Sequence, residues 1–137
     1  MALGEVVSEV KAKVTSVKVQ PFDGSGQGVR LELNTTAELS GKIRGTWVAT
    51  TYPIGAPDGT NTSKGYGIIT TNDGESITIE AFGAGSPPTP SGSKARGVAY
   101  LRTTSQKYAW VNTAPFAWEG EMNAAQTEFS GTLCEWK

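Results

Sequence analysis

The chain has 137 residues, enough for one domain, and its 12 basic and 13 acidic residues leave a net charge of −1. This balance argues against a nucleic-acid or membrane-surface partner, because such proteins usually carry an excess of basic residues. The chain contains no histidine and one cysteine, which excludes His-dependent catalytic triads, His metal sites and an internal disulfide. We therefore predict a single domain over residues 1–137 that needs no metal or cofactor.

No apolar run approaches the roughly 18 residues that a membrane-spanning helix requires. The first ten residues lack the basic and apolar blocks of a signal peptide. We therefore expect a cytoplasmic protein without a membrane partner.

Alternation of apolar and polar residues predicts β-strands from the start of the chain. Over residues 5–19 valines alternate with polar residues, and a change of phase predicts a β-bulge near Thr15-Ser16. A glycine-rich turn over 21–28 precedes a strand over 29–39, which has the most regular alternation in the chain. A further strand is predicted over 42–52.

The segment 66–82 predicts a β-hairpin, because two runs rich in Ile and Thr flank an Asn-Asp-Gly sequence at 72–74. A two-residue type I′ turn would pair Ile68 with Ile79, whereas a three-residue turn would pair Ile68 with Thr78. We predict the two-residue turn, because it keeps the apolar residues on one face of the hairpin.

Two long polar loops, 53–63 and 83–93, flank the hairpin. Loops of this length are often functional or mobile. The alternative is that they are surface connections without a function. The remaining predicted strands are 94–104, 107–113, 116–122 and 127–136.

About eight or nine strands joined mostly by short turns, with little or no helix, predict an all-β protein. The two candidate architectures are an antiparallel up-and-down β-barrel and a sandwich. Glycines inside strands and the bulge favour the barrel, since closure requires strongly coiled strands.

The layout over residues 28–136 resembles the calycin-type barrels, and among them the allene-oxide-cyclase-like barrels. The segments that carry the resemblance are 41–47 (GKIRGTW), 67–74, 116–119 and 135–136. That group includes many short bacterial and archaeal proteins of unknown role. The resemblance therefore implies a small up-and-down barrel and assigns no catalytic residue.

No catalytic motif is present, but six residues are candidate ligand contacts: Glu80, Arg96, Tyr100, Arg102, Trp110 and Trp118. On the predicted hairpin register Glu80 lies opposite Gly67. If that face lined a cavity, desolvation would favour the protonated carboxyl and make Glu80 an acid or base, whereas on an outer face it would be solvated.

Arg96, Tyr100 and Arg102 share one strand face. Their guanidinium groups are candidates for holding an anionic ligand, or for ion pairs with Glu119 or Glu121 on a neighbouring strand. Trp110 and Trp118 belong to an aromatic group that either walls an apolar pocket or fills the barrel. The group also contains Trp47, Tyr66, Phe116 and Phe129.

These features predict a non-enzymatic barrel that acts as a scaffold or binds a small apolar or anionic ligand. One alternative is a cofactor-free cyclase or isomerase that uses Glu80 or Glu119. Another is a self-associating structural protein that forms a homodimer or homotrimer through exposed aromatic residues. Ligand binding requires an internal cavity, and an enzyme additionally requires a carboxylate that faces this cavity. Self-association requires a filled barrel with an apolar patch on its outer surface.

Overall fold

A computed structural model describes residues 3–21 and 28–136, and these form a closed antiparallel barrel of eight strands. The strands are β1 (Leu3–Val19), β2 (Leu31–Gly41), β3 (Gly45–Gly55), β4 (Asn61–Thr71), β5 (Ser76–Gly85), β6 (Ser93–Arg102), β7 (Phe116–Met122) and β8 (Glu128–Trp136). Each strand pairs with the next, and β8 closes on β1. The predicted up-and-down barrel is confirmed. Most of the predicted turn over 21–28, namely 22–27, lies outside the described residues.

The predicted strand over 107–113 is wrong, because this segment contains a 3₁₀ helix, Ala109–Thr113. The Val111 amide donates a 3.0 Å hydrogen bond to the Tyr108 carbonyl, and both side chains are buried. Apolar residues three apart lie on one side of a 3₁₀ helix. The helix packs across one end of the barrel, which we call the lower end and which also holds the turn between β4 and β5.

The two long loops are shorter than predicted. Strand β3 continues to Gly55 and β4 begins at Asn61, so only residues 56–60 connect them. Residues 86–92 connect β5 and β6. The small and polar residues at these strand ends pair regularly across the sheet, although their composition is typical of loops.

The predicted bulge in β1 is confirmed. Val14 pairs with Thr35 and Ser16 with Asn34, so Thr15 is an extra residue on β1. The Thr15 hydroxyl donates a 3.1 Å hydrogen bond to the Asn34 carbonyl. Such a bulge bends the strand and increases its twist, which a closed barrel requires.

The predicted register of the β4–β5 hairpin is wrong. Ile68 pairs with Thr78, and Ile69 pairs with Ile77, as a three-residue turn requires. The Gly74 amide donates to the Thr71 carbonyl at 3.0 Å, and Gly74 has a φ of +87°. This geometry is a type I turn followed by a left-handed glycine, whereas a type I′ turn would also force Asp73 to a positive φ.

The interior of the barrel is filled by side chains. The fully buried residues include Val7, Ile43, Ile69, Ile77, Leu101 and Val111. In the half of the barrel away from the 3₁₀ helix, aromatic rings on one strand lie above glycines on another strand. A Cβ atom at Gly83 would lie 2.3 Å from the Trp118 ring, and one at Gly120 would lie 2.3 Å from the Phe129 ring. The aromatic group therefore contributes mainly to the core, with Tyr66 outside it.

Candidate functional site

The outer wall of the barrel carries a groove of about 880 Å³ that crosses β1 to β6. A closed, twisted sheet has the shape of a hyperboloid, so its outer surface narrows between the two ends. We call this surface the waist groove. Two neighbouring rows of outward-facing residues line it: Val48, Ile68, Thr78 and Arg102 in one, and Thr50, Tyr66, Glu80 and Tyr100 in the other.

Large apolar side chains in the waist groove are exposed. The exposed fractions are 60% for Val48, 49% for Ile68, 47% for Tyr66 and 39% for Tyr100. Two further rings extend the surface, since Tyr52 packs edge-on against Tyr66 and Phe82 against Tyr100. A contiguous exposed apolar surface of this kind is more informative than scattered apolar residues, because it is typical of interaction sites.

Polar groups border this apolar surface. The Thr50 hydroxyl donates to Asn34 Oδ1 at 2.8 Å, and Asn34 Nδ2 donates to Ser16 Oγ at 2.9 Å, which fixes these side chains on β1 to β3. Arg102 Nη1 donates to the Leu101 carbonyl at 2.9 Å. The groove thus offers one guanidinium, one carboxylate, hydroxyl groups and apolar rings.

Three of the six predicted ligand contacts lie together in the waist groove. Glu80 lies directly across from Tyr100, and Arg102 is two residues further along β6. Glu80 pairs with Tyr66 instead of Gly67, because the hairpin register differs from the predicted one. Its side chain is exposed on the outer wall. The desolvated carboxylate considered from the sequence is therefore not found at Glu80.

The other three predicted contacts lie elsewhere. Arg96 is six residues from Arg102, or about 20 Å along an extended strand, and it lies opposite Glu119. Trp118 points into the barrel, where its indole N–H donates a 3.1 Å hydrogen bond to a carbonyl of β6. Trp110 lies in the 3₁₀ helix at the lower end. The six residues do not form one site.

Val48 and Ile68 are not among the residues predicted to contact a ligand. Both occupy positions on the face that the alternation of their strands marks as polar, with Trp47 and Ile69 on the opposite face. An apolar residue at a polar position of a regular alternation was the available signal.

A second polar cluster joins the β4–β5 turn to the segment before the 3₁₀ helix. Asp73 Oδ1 accepts hydrogen bonds from the Thr71 hydroxyl at 2.6 Å and from the Tyr108 hydroxyl at 3.0 Å, while Oδ2 accepts one from Lys107 Nζ. The hydrogen bonds from Lys107 and Thr71 hold the pKa of Asp73 well below its usual range. The charge and geometry of this cluster indicate a structural anchor at the lower end.

In the described part of the chain, no group of three or more His, Cys, Asp or Glu residues lies close enough to hold a metal ion. Residues 3–21 and 28–136 also include no helix long and apolar enough to cross a membrane. Cys134 is half-buried as a free thiol on β8.

No protein-family model and no curated protein matches the chain. Solved structures do share its fold. A protein of unknown function from Clostridium acetobutylicum is 19% identical, with a TM-score of 0.86 and all of both chains covered. A β-barrel-like protein from Acinetobacter baumannii is 16% identical, with a TM-score of 0.82 over 99% of this chain and 96% of that one.

An enzyme from Penicillium herquei also resembles the chain, at 19% identity and a TM-score of 0.68 over 98% of this chain and 97% of that one. At such identities the likeness concerns the fold alone, since one fold hosts unrelated activities. The chain therefore shares its fold with proteins of unknown function and with an enzyme.

Proposed function

We propose that this protein is a non-enzymatic scaffold barrel, and that a second copy of the chain docks on its waist groove. The observation that carries the proposal is the set of exposed apolar side chains in the two rows of the groove, Val48, Tyr66, Ile68 and Tyr100, on a barrel whose interior is already filled. Among the functions predicted from the sequence, the self-associating structural protein is the one that needs this combination. A cytoplasmic location and membership of the allene-oxide-cyclase-like barrels belong to the same proposal.

The packing inside the barrel supports a binding surface on its outer wall. Trp118 and Phe129 lie where Cβ atoms at Gly83 and Gly120 would otherwise project. A barrel of about eight strands has room either for its own side chains or for one small ligand. Since these rings occupy the interior, a partner is accommodated more easily outside.

The shape of the waist groove suits a second copy. A hyperboloid surface is concave along the barrel axis and convex around it, so two such surfaces fit when their axes cross. A two-fold axis lying in the interface would bring the same apolar side chains of both copies into the interface. The groove spans six strands, or roughly 24 Å at about 4.8 Å between neighbouring strands, which corresponds to a small interface.

The charges of the groove are also self-complementary. Glu80 and Arg102 are diagonal neighbours on β5 and β6, and none of the ion pairs among the described residues includes either of them. A two-fold axis between their positions would bring Glu80 of one copy to Arg102 of the other. Such pairs at the rim of an interface set register and orientation more than affinity.

The enzyme alternative is less well supported. Glu80 and Glu119 are both exposed on the outer wall, whereas an acid or base near neutral pH usually depends on desolvation or a close charged partner.

The proposal is tested by sedimentation equilibrium of the wild-type chain and of the variant Val48→Glu. We expect a dimer for the wild type, and at least about tenfold weaker association for the variant, because a buried unpaired carboxylate is costly. Val6→Glu is the matched control, since Val6 is 53% exposed on β1, outside the groove. A wild-type chain that stays monomeric up to about 1 mM would contradict the proposal.

A charge exchange tests the orientation. Glu80→Arg and Arg102→Glu should each weaken the dimer, and the double variant should restore it, because the two charges face each other across the two-fold axis. Native mass spectrometry before and after denaturation tests whether a small molecule occupies the waist groove instead of a second copy. A small molecule released by wild-type protein and absent from Val48→Glu would overturn the second-copy assignment.

A further inference from the structure

A pocket of about 300 Å³ lies at the lower end of the barrel, separate from the waist groove. It is bounded by the 3₁₀ helix, the segment after it, the start of β7, the end of β8 and the turn between β2 and β3. The side chains that matter here are Trp110, Phe116, Trp136, Glu135 and Lys42. Its volume is at the lower limit for small-molecule sites, so it fits a small ligand or the head group of a larger one.

The pocket already holds a cation from its own chain. Lys42 Nζ lies 4.2 Å from the centroid of the Trp110 ring and 3.8 Å from Glu135 Oε1. The face of an indole ring attracts a cation at this distance, and the carboxylate adds a Coulombic attraction. Phe116 packs edge-on against Trp110, with ring centroids 6.2 Å apart, and holds the indole in place.

The Lys42 side chain can leave this position. It is 53% exposed, whereas the side chain of Glu135 is 25% exposed. An exposed ion pair contributes little to stability, and the lysine ammonium is strongly hydrated in water. Departure of Lys42 would therefore cost little and would leave an aromatic wall beside a carboxylate.

We propose that this pocket is a binding site for a small organic ammonium ion, and that Lys42 occupies it when no ligand is bound. A quaternary ammonium group suits the pocket best. Aromatic faces and a carboxylate are the groups that recognise such ions. The proposal is independent of dimer formation, because none of these residues lines the waist groove.

The test is a titration of ¹⁵N-labelled protein with tetramethylammonium chloride, followed through the indole N–H signals, with sodium chloride at equal ionic strength as the reference. We expect Trp110 and Trp136 to shift and Trp47 and Trp118 to stay unchanged. Lys42→Met removes the competing ammonium and keeps most of the stem, so it should bind the probe at least about fivefold more tightly. Lys94→Met is the matched control, since Lys94 pairs with Glu121 at 3.9 Å on another part of the surface.

Two variants in the Lys42→Met background complete the test. Glu135→Gln and Trp110→Leu should each weaken binding of tetramethylammonium, and the first preserves the size of the side chain. If Lys42→Met binds the probe no more tightly than the wild type, or if Glu135→Gln leaves its affinity unchanged, the assignment is wrong. Failure of this titration would leave the dimer proposal intact, because the two experiments examine different surfaces.

Discussion

Trp118 and Phe129 occupy space that glycines on other strands leave free. The Trp118 ring extends across Gly97, its partner on β6, towards Gly83 on β5. This arrangement lets large rings fill a narrow barrel in which a second side chain at the same level would collide. The absence of a side chain at Gly83 is thus part of the packing of the core.

We predict that Gly83→Ala destabilises the protein by about 1–3 kcal/mol, because overpacking forces the neighbouring groups to move. The added Cβ would lie 2.3 Å from the Trp118 ring and 2.8 Å from a main-chain oxygen of β6. Urea denaturation followed by tryptophan fluorescence measures the change. Gly55→Ala is the matched control, since its nearest neighbour would be 3.6 Å away. Equal midpoints for both variants would show that the ring relaxes without cost.

At the scale of elements, the β4–β5 turn is fastened to the connection that carries the 3₁₀ helix. Asp73 at the tip of the turn receives hydrogen bonds from Thr71 within the hairpin, and from Tyr108 and Lys107 before the helix. Tyr108 is buried, so the contact places an apolar ring in the lower end of the barrel and its hydroxyl at the surface. A single carboxylate therefore connects a turn to the segment that covers the lower end.

We predict that Asp73→Asn lowers the midpoint of thermal unfolding at pH 7. The pKa of Asp73 is depressed in the folded protein, so the stabilisation is complete above the unfolded value of about 4 and is lost as the pH falls below it. The difference between wild type and variant should therefore shrink from pH 5 to pH 2, as measured by circular dichroism.

Glu121→Gln is the control for the Asp73 experiment, because it removes an exposed ion pair with Lys94 that should contribute little. A difference between wild type and Asp73→Asn that stays constant with pH would argue against a stabilising charge on Asp73.

For the whole molecule, closure by β8 removes the last free sheet edges. Strand β8 pairs with β7 on one side and with β1 on the other. Without it, two strands would expose unpaired main-chain groups and the inner apolar face. The fold therefore depends on pairing between β1 and β8.

We predict that a chain ending at Gln126 does not form a stable, dispersed barrel. Removing β8 deletes Phe129 and Leu133 from the core as well as two sets of strand pairs. The shortened chain should elute as aggregates in size-exclusion chromatography. Its thermal unfolding, followed by circular dichroism, should no longer be cooperative. A chain that lacks only Lys137 provides the control. A dispersed, cooperatively unfolding product from the shorter chain would contradict the importance of closure.

Local pattern alone is enough to predict the eight strands in outline, the barrel and the bulge in β1, although it also predicts a ninth strand, 107–113, that the structure does not have. Alternation with period two separates the two faces of each strand, and the change of phase near Thr15 has a direct counterpart in the extra residue there. The absence of histidine likewise excludes His-dependent catalysis and His metal sites, and this follows from the sequence alone. These properties depend on residues that are close in sequence.

The tertiary structure decides the remaining features, because they depend on contacts between distant residues. The hairpin register follows from the single left-handed glycine of its turn and from the pairing of Ile69 with Ile77 inside the barrel. The segment 107–113 contains a 3₁₀ helix, Ala109–Thr113, instead of a strand, and Tyr108 and Val111 close the lower end. Closure and twist of the sheet bring Val48, Ile68 and their neighbours, which come from separate strands, together in one exposed groove.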